Sequence, residues 1–211
     1  MNSSHNEITP AIERLRLWCN HHHLNWNENA PAQFETYFRL LIHYQKQTNL
    51  TGFNNVNDLV DQLCMDSLQI LRLGPIPPPM LDVGSGAGFP AIPIKILQPE
   101  LEMILVEPRS KRYAFLRRVE DELHLSKLTI LHSKIESAHL PQHIGMAISK
   151  AFMPILDWVN LTTPWARQGT QIACLVSKQD WLNAQKQLEN QGFITTGIID
   201  ENNRIYAILS L

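Results

Sequence analysis

The sequence predicts an α/β fold: a Rossmann-like, mostly parallel sheet of seven strands that closes with an antiparallel hairpin and is preceded by an N-terminal helical segment. Three observations predict it. From Met80 onward, short apolar runs rich in Val, Ile and Leu alternate with amphipathic stretches, as they do when helices cover both faces of a parallel sheet. The first run, Met80-Leu81-Asp82-Val83, passes directly into three glycines at alternate positions, Gly84, Gly86 and Gly88. The last two runs are separated only by Asp200-Glu201-Asn202-Asn203, a polar loop that suits a hairpin at a sheet edge.

Taken in order, Thr9 and Pro10 form an N-cap and first-turn pair for a helix carrying Ile12, Leu15 and Trp18 and ending near His21-His22-His23. Consecutive histidines on a helix point in three directions, so this triplet reads as a solvated helix end and not as a metal site. A second helix over 32–47 aligns Phe34, Tyr37, Phe38, Leu41, Ile42 and Gln45 on one stripe, a core face. A third over 56–73 turns Leu59, Val60, Leu63, Cys64, Leu68 and Leu71 inward. Gly74-Pro75-Ile76-Pro77-Pro78-Pro79 then favours polyproline II and marks the one internal boundary, dividing a helical segment (1–74) from a core (75–211). Strands are expected at 80–84, 101–107, 128–132, 144–149, 170–177, 193–199 and 204–210, with helices at 89–98, 110–124, 153–166 and 179–191.

Composition narrows the class. A chain of 211 residues with 44% hydrophobic and 18% charged residues suits one globular domain with a small appendage. A formal charge of −2 gives no global nucleic-acid signature, so a polyanionic partner would need a local patch. Cys19, Cys64 and Cys174 are odd in number and widely spaced, which argues against a disulfide framework or zinc and suits a reducing cytoplasm. Neither a signal sequence nor a membrane-spanning apolar run is evident. Three Asn-x-Ser/Thr triplets, at Asn2, Asn49 and Asn160, carry no meaning about sugars without a secretion signal.

The chemistry concentrates after the glycines. Glycine suits a turn that needs positive φ and lets the backbone approach a bound cofactor, although three glycines after a strand can also be structural punctuation. The spacing is Gly-x-Gly-x-Gly with Asp82 two residues ahead, which differs from the dinucleotide fingerprint and fits the loop of S-adenosylmethionine enzymes. Asp82 is expected under the turn, fixing its amides or reaching the methionine part through water. Glu107, 23 residues after Gly84 at the end of the second strand, is placed to accept hydrogen bonds from both ribose hydroxyls. A sheet of this kind ending in a hairpin also fits a methyltransferase better than a dehydrogenase.

Directly after Glu107, Arg109, Lys111, Arg112, Arg117 and Arg118 put five cations within ten residues. They read either as an RNA-phosphate patch, with Lys178 a further member, or as a solvated helix face with Phe115 and Leu116 inward. The runs Leu-Asp-Val-Gly-Ser-Gly-Ala-Gly-Phe-Pro from Leu81 and Val-Glu-Pro-Arg-Ser-Lys-Arg from Val106 resemble the bacterial small-subunit ribosomal RNA guanine-N7 methyltransferase family, also called glucose-inhibited division protein B. The similarity is dense from Met80 to Phe152, continuous upstream through Asn49-Leu50-Thr51 and Met65-Asp66-Ser67, and faint in the last third.

The resemblance implies cofactor contacts at Gly84 and at Phe89, which closes the loop. It places the adenine-flanking pair on Ile135 and Glu136, and the arginine of the family's Ser-Arg-Ala-Phe on Lys150 in Ser149-Lys150-Ala151-Phe152. Lys150 is then expected to hold the cofactor carboxylate or the substrate, and Phe152 to stack near the base. The run lacks the Pro-Pro-aromatic signature of exocyclic-amine enzymes and the Pro-Cys of cytosine-C5 enzymes. Guanine N7 has an in-plane lone pair and no proton to lose, so alignment with the sulfonium suffices.

The chain departs from the family where Gln62-Leu63 replaces Arg-His, Lys150 replaces arginine and Ala91 replaces a common glycine. The expected partners are S-adenosylmethionine and small-subunit ribosomal RNA or a ribosomal particle, with no metal or membrane and a monomer as the default. A same-fold methyltransferase with another substrate, and a cofactor-binding RNA-associated protein without turnover, stay open as alternatives.

Overall fold

The computed structural model describes residues 3–48, 50–53, 55–150 and 152–211; Asn2, Asn49 and Ala151 of the sequence reading lie outside them. Its seven strands are β1 (Met80–Val83), β2 (Met103–Val106), β3 (Leu128–Leu131), β4 (Met146–Ile148), β5 (Gln171–Ser177), β6 (Ile194–Glu201) and β7 (Arg204–Ser210). They form one sheet in the order β3-β2-β1-β4-β5-β7-β6. The first five run parallel, and β7 pairs antiparallel with both β5 and β6. Strand order reverses between β1 and β4, which opens a crevice at the carboxyl ends of these strands.

The helices are α1 (Ser3–His21), α2 (Ala30–Thr48), α3 (Val56–Asp58), α4 (Met65–Leu68), α5 (Ala91–Leu97), α6 (Ser110–Leu123), α7 (Ile155–Ala166) and α8 (Lys178–Asn190). Between α3 and α4 the chain winds as a π-helix over Leu59–Cys64, and after α4 as a 3-10 helix over Gln69–Leu73. The expected third helix is thus one run with three pitches. Its changes of pitch bring Asp66, Ser67, Gln69 and Ile70 into the interior, beyond the stripe a uniform 3.6-residue period assigns.

Three further elements differ from expectation. Helix α1 begins before Thr9 and carries Pro10 in its interior, because Ile8, Ile12, Leu15 and Cys19 form one buried stripe whose packing outweighs the lost backbone bond. Strand β6 continues through Glu201, leaving Asn202 and Asn203 as a two-residue turn with φ of 53° and 60°, the left-handed pair that matches the strand twist. The proline segment is packed, not free. Gly145 donates its amide to the Pro79 carbonyl at 3.0 Å, and a side chain on Gly145 would fall 2.2 Å from the Pro77 carbonyl oxygen.

Phe34, Tyr37 and Phe38 of α2 are fully buried in the same cluster as Ile92, Ile94 and Ile96 of α5 and Met80 of β1. Burying each such aromatic contributes roughly 1.5–3 kcal/mol. The helical segment therefore shares a core with the sheet and lies behind the glycine loop. On the opposite face, Trp158 of α7 and Trp181 of α8 pack over β4 and β5, with the Trp158 indole N–H donating to the Ala173 carbonyl at 3.1 Å.

Candidate active site

A cavity of about 380 Å³ occupies the crevice between β1 and β4. The loop after β1 supplies Gly84, Ser85, Gly86, Ala87 and Phe89; the end of β2 supplies Glu107, Pro108, Arg109 and Arg112; the end of β4 supplies Lys150 and Phe152. Leu50, Thr51 and Leu63 of the helical segment complete the wall.

The glycine loop is held by backbone bonds. The amides of Gly84 and Ser85 both donate to the Val106 carbonyl, at 2.9 and 3.3 Å, and Gly88 donates to the Ser85 carbonyl at 2.7 Å. Gly84 and Gly86 take φ of 73° and 58°, conformations that a side chain disfavours. A Cβ on Gly84 would also stand 2.5 Å from the Phe152 ring, so the absence of a side chain lets that ring lie on the turn. Gly88 faces away from the cavity. Its missing Cβ makes room for Ile92 at 2.5 Å and the Tyr37 hydroxyl at 3.1 Å.

Glu107 is the central polar group. It is 2% exposed, and its two oxygens accept separately from the Gly86 amide at 2.9 Å and the Arg109 amide at 2.7 Å. Each oxygen keeps a further lone pair, which is what a ribose diol requires of a carboxylate at this strand end. The task of fixing the loop amides, expected of Asp82, thus falls to Glu107. Asp82 does lie beneath the turn, fully buried, but it does not line the cavity and neither carboxylate oxygen has a partner among the described residues. Burial pushes its pKa up to about 8 against the lowering effect of the nearby Ser85 hydroxyl, which donates to the Asp82 backbone carbonyl, and the Glu107 charge adds to the rise.

The loop is braced from behind by α2. The Tyr37 hydroxyl donates to the Ala87 carbonyl at 2.7 Å, and its ring packs on Phe89 at 5.5 Å between centroids. Sequence periodicity assigned Tyr37 to the core stripe, and nothing in the spacing distinguishes its hydroxyl as a partner of the loop.

At the far wall, Ser149 donates to the Val83 carbonyl at 3.1 Å and fixes the end of β4 beside β1. The Lys150 ammonium is turned toward Asp66, 2.6 Å from Oδ2, and stands 5.9 Å over the Phe89 ring. It also approaches the carbonyls of Gln62 and Leu63, the two residues that depart from the family pattern, at 3.4 Å each. Burial pushes the Lys150 pKa below its ordinary value in spite of the Asp66 charge. Asp66 accepts in turn from the Tyr206 hydroxyl at 2.6 Å, and Arg204 Nε lies 2.7 Å from its Oδ1. The sequence does not single out Asp66, Arg204 and Tyr206 as a group: Asp66 lies 138 and 140 residues before the other two, and no local pattern links it to them.

The basic residues divide. Arg109 and Arg112 line the cavity, and Lys111 between them does not. Arg117 pairs with Glu120, Arg118 with Glu122, and Lys178 with Asp200, so three of the expected phosphate ligands have partners in their own chain. Phe115 and Leu116 are buried, as the helix-face reading has them. Ile135 and Glu136 form a 3-10 turn after β3; Ile135 is buried, Glu136 is exposed, and neither lines the cavity. Cys19 and Cys174 are buried thiols pushed up to about 12, and no group able to hold a metal occurs among the described residues.

The cavity accommodates an adenosyl cofactor: a loop opened by glycines, a carboxylate with spare lone pairs, and an apolar ring at each end, Phe89 and Phe152. The sequence matches the family model described as rRNA small subunit methyltransferase G over residues 30–203. It is 31% identical over 178 residues to the ribosomal RNA small subunit methyltransferase G of Streptococcus agalactiae serotype V, covering 80% of this chain and 75% of that one. To the protein of the same name from Pseudomonas aeruginosa it is 34% identical over 143 residues, 68% of this chain and 67% of that one. A Syntrophobacter fumaroxidans relative, ribosomal RNA small subunit methyltransferase G 2, is 41% identical over 112 residues, 52% of this chain but only 22% of that longer one. Among solved structures, the ribosomal protein L11 methylase of Lactobacillus delbrueckii superposes with a TM-score of 0.58 at 13% identity, over 71% of this chain and 78% of that one, a likeness of fold.

Proposed function

The chain belongs to the rRNA small subunit methyltransferase G family, and from that premise we infer that it transfers the methyl group of S-adenosylmethionine to guanine N7 in small-subunit ribosomal RNA. The observation that carries this reading to the site is the convergence of the glycine loop, Glu107, Lys150 and Phe152 on one cavity at the sheet's reversal point. When bound, S-adenosylmethionine supplies a methyl group already activated by a sulfonium. The protein's work is therefore to bind, align and exclude water.

Glu107 and the loop of Gly84 to Phe89 hold the adenosyl part; Ile135 and Glu136, which lie outside the cavity lining, are assigned to its adenine side by the family resemblance alone. Lys150 and Phe152 form the wall that the base meets. The charged side chains at the cavity are Glu107, Arg109, Arg112 and Lys150; Glu107 is occupied by two amides and the others are cations. An acceptor that must lose a proton is poorly served by this set, whereas N7 needs no base. Arg109, Lys111 and Arg112 meet RNA phosphates at the mouth. We place the enzyme in the cytoplasm as a monomer acting on RNA or on the ribosomal particle; none of the helices is long and apolar enough to cross a membrane among the described residues.

The test is twofold. Calorimetry should show one S-adenosylmethionine site per chain, weakened by Glu107→Ala. Radiolabelled methyl transfer to small subunits and to naked RNA, with nucleotide mapping, should give a single N7-methylguanine. No incorporation on either substrate overturns the reading.

A further inference from the structure

A second cavity, of about 450 Å³, opens on the other side of Phe152, between the start of α7 and the first turns of α8. We propose that it receives the target guanine, and that Asp180 and Asn183 read the Watson–Crick edge of that base. The proposal rests on the methyltransferase reading and adds to it a specificity site in a part of the chain where the resemblance is faint.

Phe152 lines both cavities and is 39% exposed, so a single aromatic ring forms the partition between the cofactor side and this one. A base lying on the apolar floor of the second cavity meets the rim of that ring edge-on, so an in-plane lone pair can pass the rim toward the methyl donor. The floor is apolar, made by Met153, Pro154 and Leu156, and the polar groups lie along one edge only. That distribution suits a flat heterocycle with one edge to be recognised, held by stacking and by hydrogen bonds as in enzymes that take a base out of its stack.

The two polar groups are committed in complementary ways. Asp180 Oδ2 accepts from the Ser177 hydroxyl at 2.6 Å while the Asp180 amide donates to Ser177 Oγ at 3.1 Å, a cap that fixes the side chain. Asp180 Oδ1 takes no hydrogen bond among the described residues. One turn later, the Asn183 carbonyl oxygen accepts from Gln179 Nε2 at 2.9 Å, which leaves its NH₂ as the available pole. The edge therefore offers a carboxylate acceptor beside an amide donor. Guanine presents N1–H and the 2-amino group as adjacent donors next to the O6 acceptor; adenine has no second donor for the carboxylate. An anion at this place also disfavours phosphate, so the cavity takes the base and leaves the backbone to Arg109 and Arg112. In guanine, N7 lies on the side of the ring system away from N1 and the 2-amino group. Gripping the Watson–Crick edge at α8 leaves N7 on the edge that faces the rim of Phe152 and the first cavity, the orientation that methylation at that nitrogen requires.

The test compares wild type and Asp180→Asn on reconstituted small subunits carrying either guanine or inosine, which lacks the 2-amino group, at the mapped position. Wild type should prefer guanine by about tenfold in kcat/KM. Asp180→Asn keeps an oxygen for Ser177 but turns an NH₂ toward the base. It should lose at least tenfold on guanine, reduce the guanine-to-inosine preference below twofold, and leave S-adenosylmethionine affinity within twofold of wild type. Asn183→Ala, which leaves the Ser177–Asp180 cap intact, should cost about fivefold on guanine and guards against a folding defect in the first variant. Absence of a wild-type preference, an unchanged preference in Asp180→Asn, or full activity in Asn183→Ala overturns the proposal. Wild type that transfers no methyl to any RNA overturns the reading beneath it, an outcome distinct from an active enzyme without a base edge.

Discussion

On the glycine-loop side of the first cavity, the groups are held by contiguous backbone: Glu107 accepts from two amides within the chain's own turn, and Tyr37 fixes Ala87 from behind. On the β4 side, the wall is held by charges gathered from across the chain, with Lys150 and Arg204 sharing Asp66 and Tyr206 bonded to it. The first arrangement fixes atoms for a ligand whose shape does not vary. The second joins α4, the end of β4 and the terminal hairpin at one carboxylate, so the position of Phe152 depends on three separately folded pieces. A defect at the first should appear as lost cofactor binding, and a defect at the second as lost stability and misplacement of the base.

The largest effect expected of a substitution at one fixed pH breaks the second arrangement. Asp66→Asn keeps an acceptor for Tyr206 but leaves the Lys150 ammonium, whose side chain is 10% exposed, without a counter-charge. Removing one partner of a buried pair costs about 3–5 kcal/mol. Urea denaturation should show a loss of that size, with Lys150→Met restoring part of it in the double variant. A loss below 1 kcal/mol (an estimate set by the typical value for exposed pairs) would mean that charge does not hold this wall.

The next effect concerns the loop side and is read with pH. Asp82 has a pKa raised from 3.8 to about 8. The folded state thus binds its proton more tightly than the unfolded chain does. The stability this contributes is complete below the unfolded pKa and is lost as pH rises through about 8. Relative to Asp82→Asn, wild type should lose up to about 1.4 kcal/mol per pH unit across that window. Parallel stability curves for the two proteins between these limits would show Asp82 already ionised beneath the loop.

Tyr37→Phe sharpens the comparison further. It removes one buried hydroxyl and leaves the Ala87 carbonyl without its donor, at about 1 kcal/mol. Since that carbonyl belongs to the loop, the loss should appear as roughly fivefold weaker S-adenosylmethionine binding by calorimetry. An unchanged affinity with lowered stability would make Tyr37 a core residue only.

The same contrast explains what was legible in the sequence. The strands, the terminal hairpin, the glycine turn and Glu107 are written in short-range patterns of period and punctuation, and they fold as local chemistry dictates. Helix α1 escaped its proline signal because Ile8 packs into the core, and the π-helical turn escaped a period of 3.6. The sequence points to Asp82 as the acid that fixes the loop amides and to Glu107 as the ribose acceptor, yet only the folded geometry shows that Glu107 is the acid that reaches the amides. The Asp66 cluster could not be read at all, since no one-dimensional pattern joins Asp66 to residues 204 and 206. The basic run was visible as charge, but its division into paired and free cations depends on which carboxylates stand three and four residues ahead on α6.

That division gives the smallest expected effect. Arg117 and Arg118 lie in exposed pairs along one helix, each worth well under 1 kcal/mol, so removing both should leave stability within about 0.5 kcal/mol of wild type. Arg109 and Arg112 have the cavity mouth before them instead. If RNA lies across that mouth, reversing their charge should lower the slope of log affinity against log salt by about 2, while Arg117→Ala with Arg118→Ala leaves it unchanged. Equal slopes in the two double variants would show that the whole helix face, and not the mouth alone, follows the phosphate backbone.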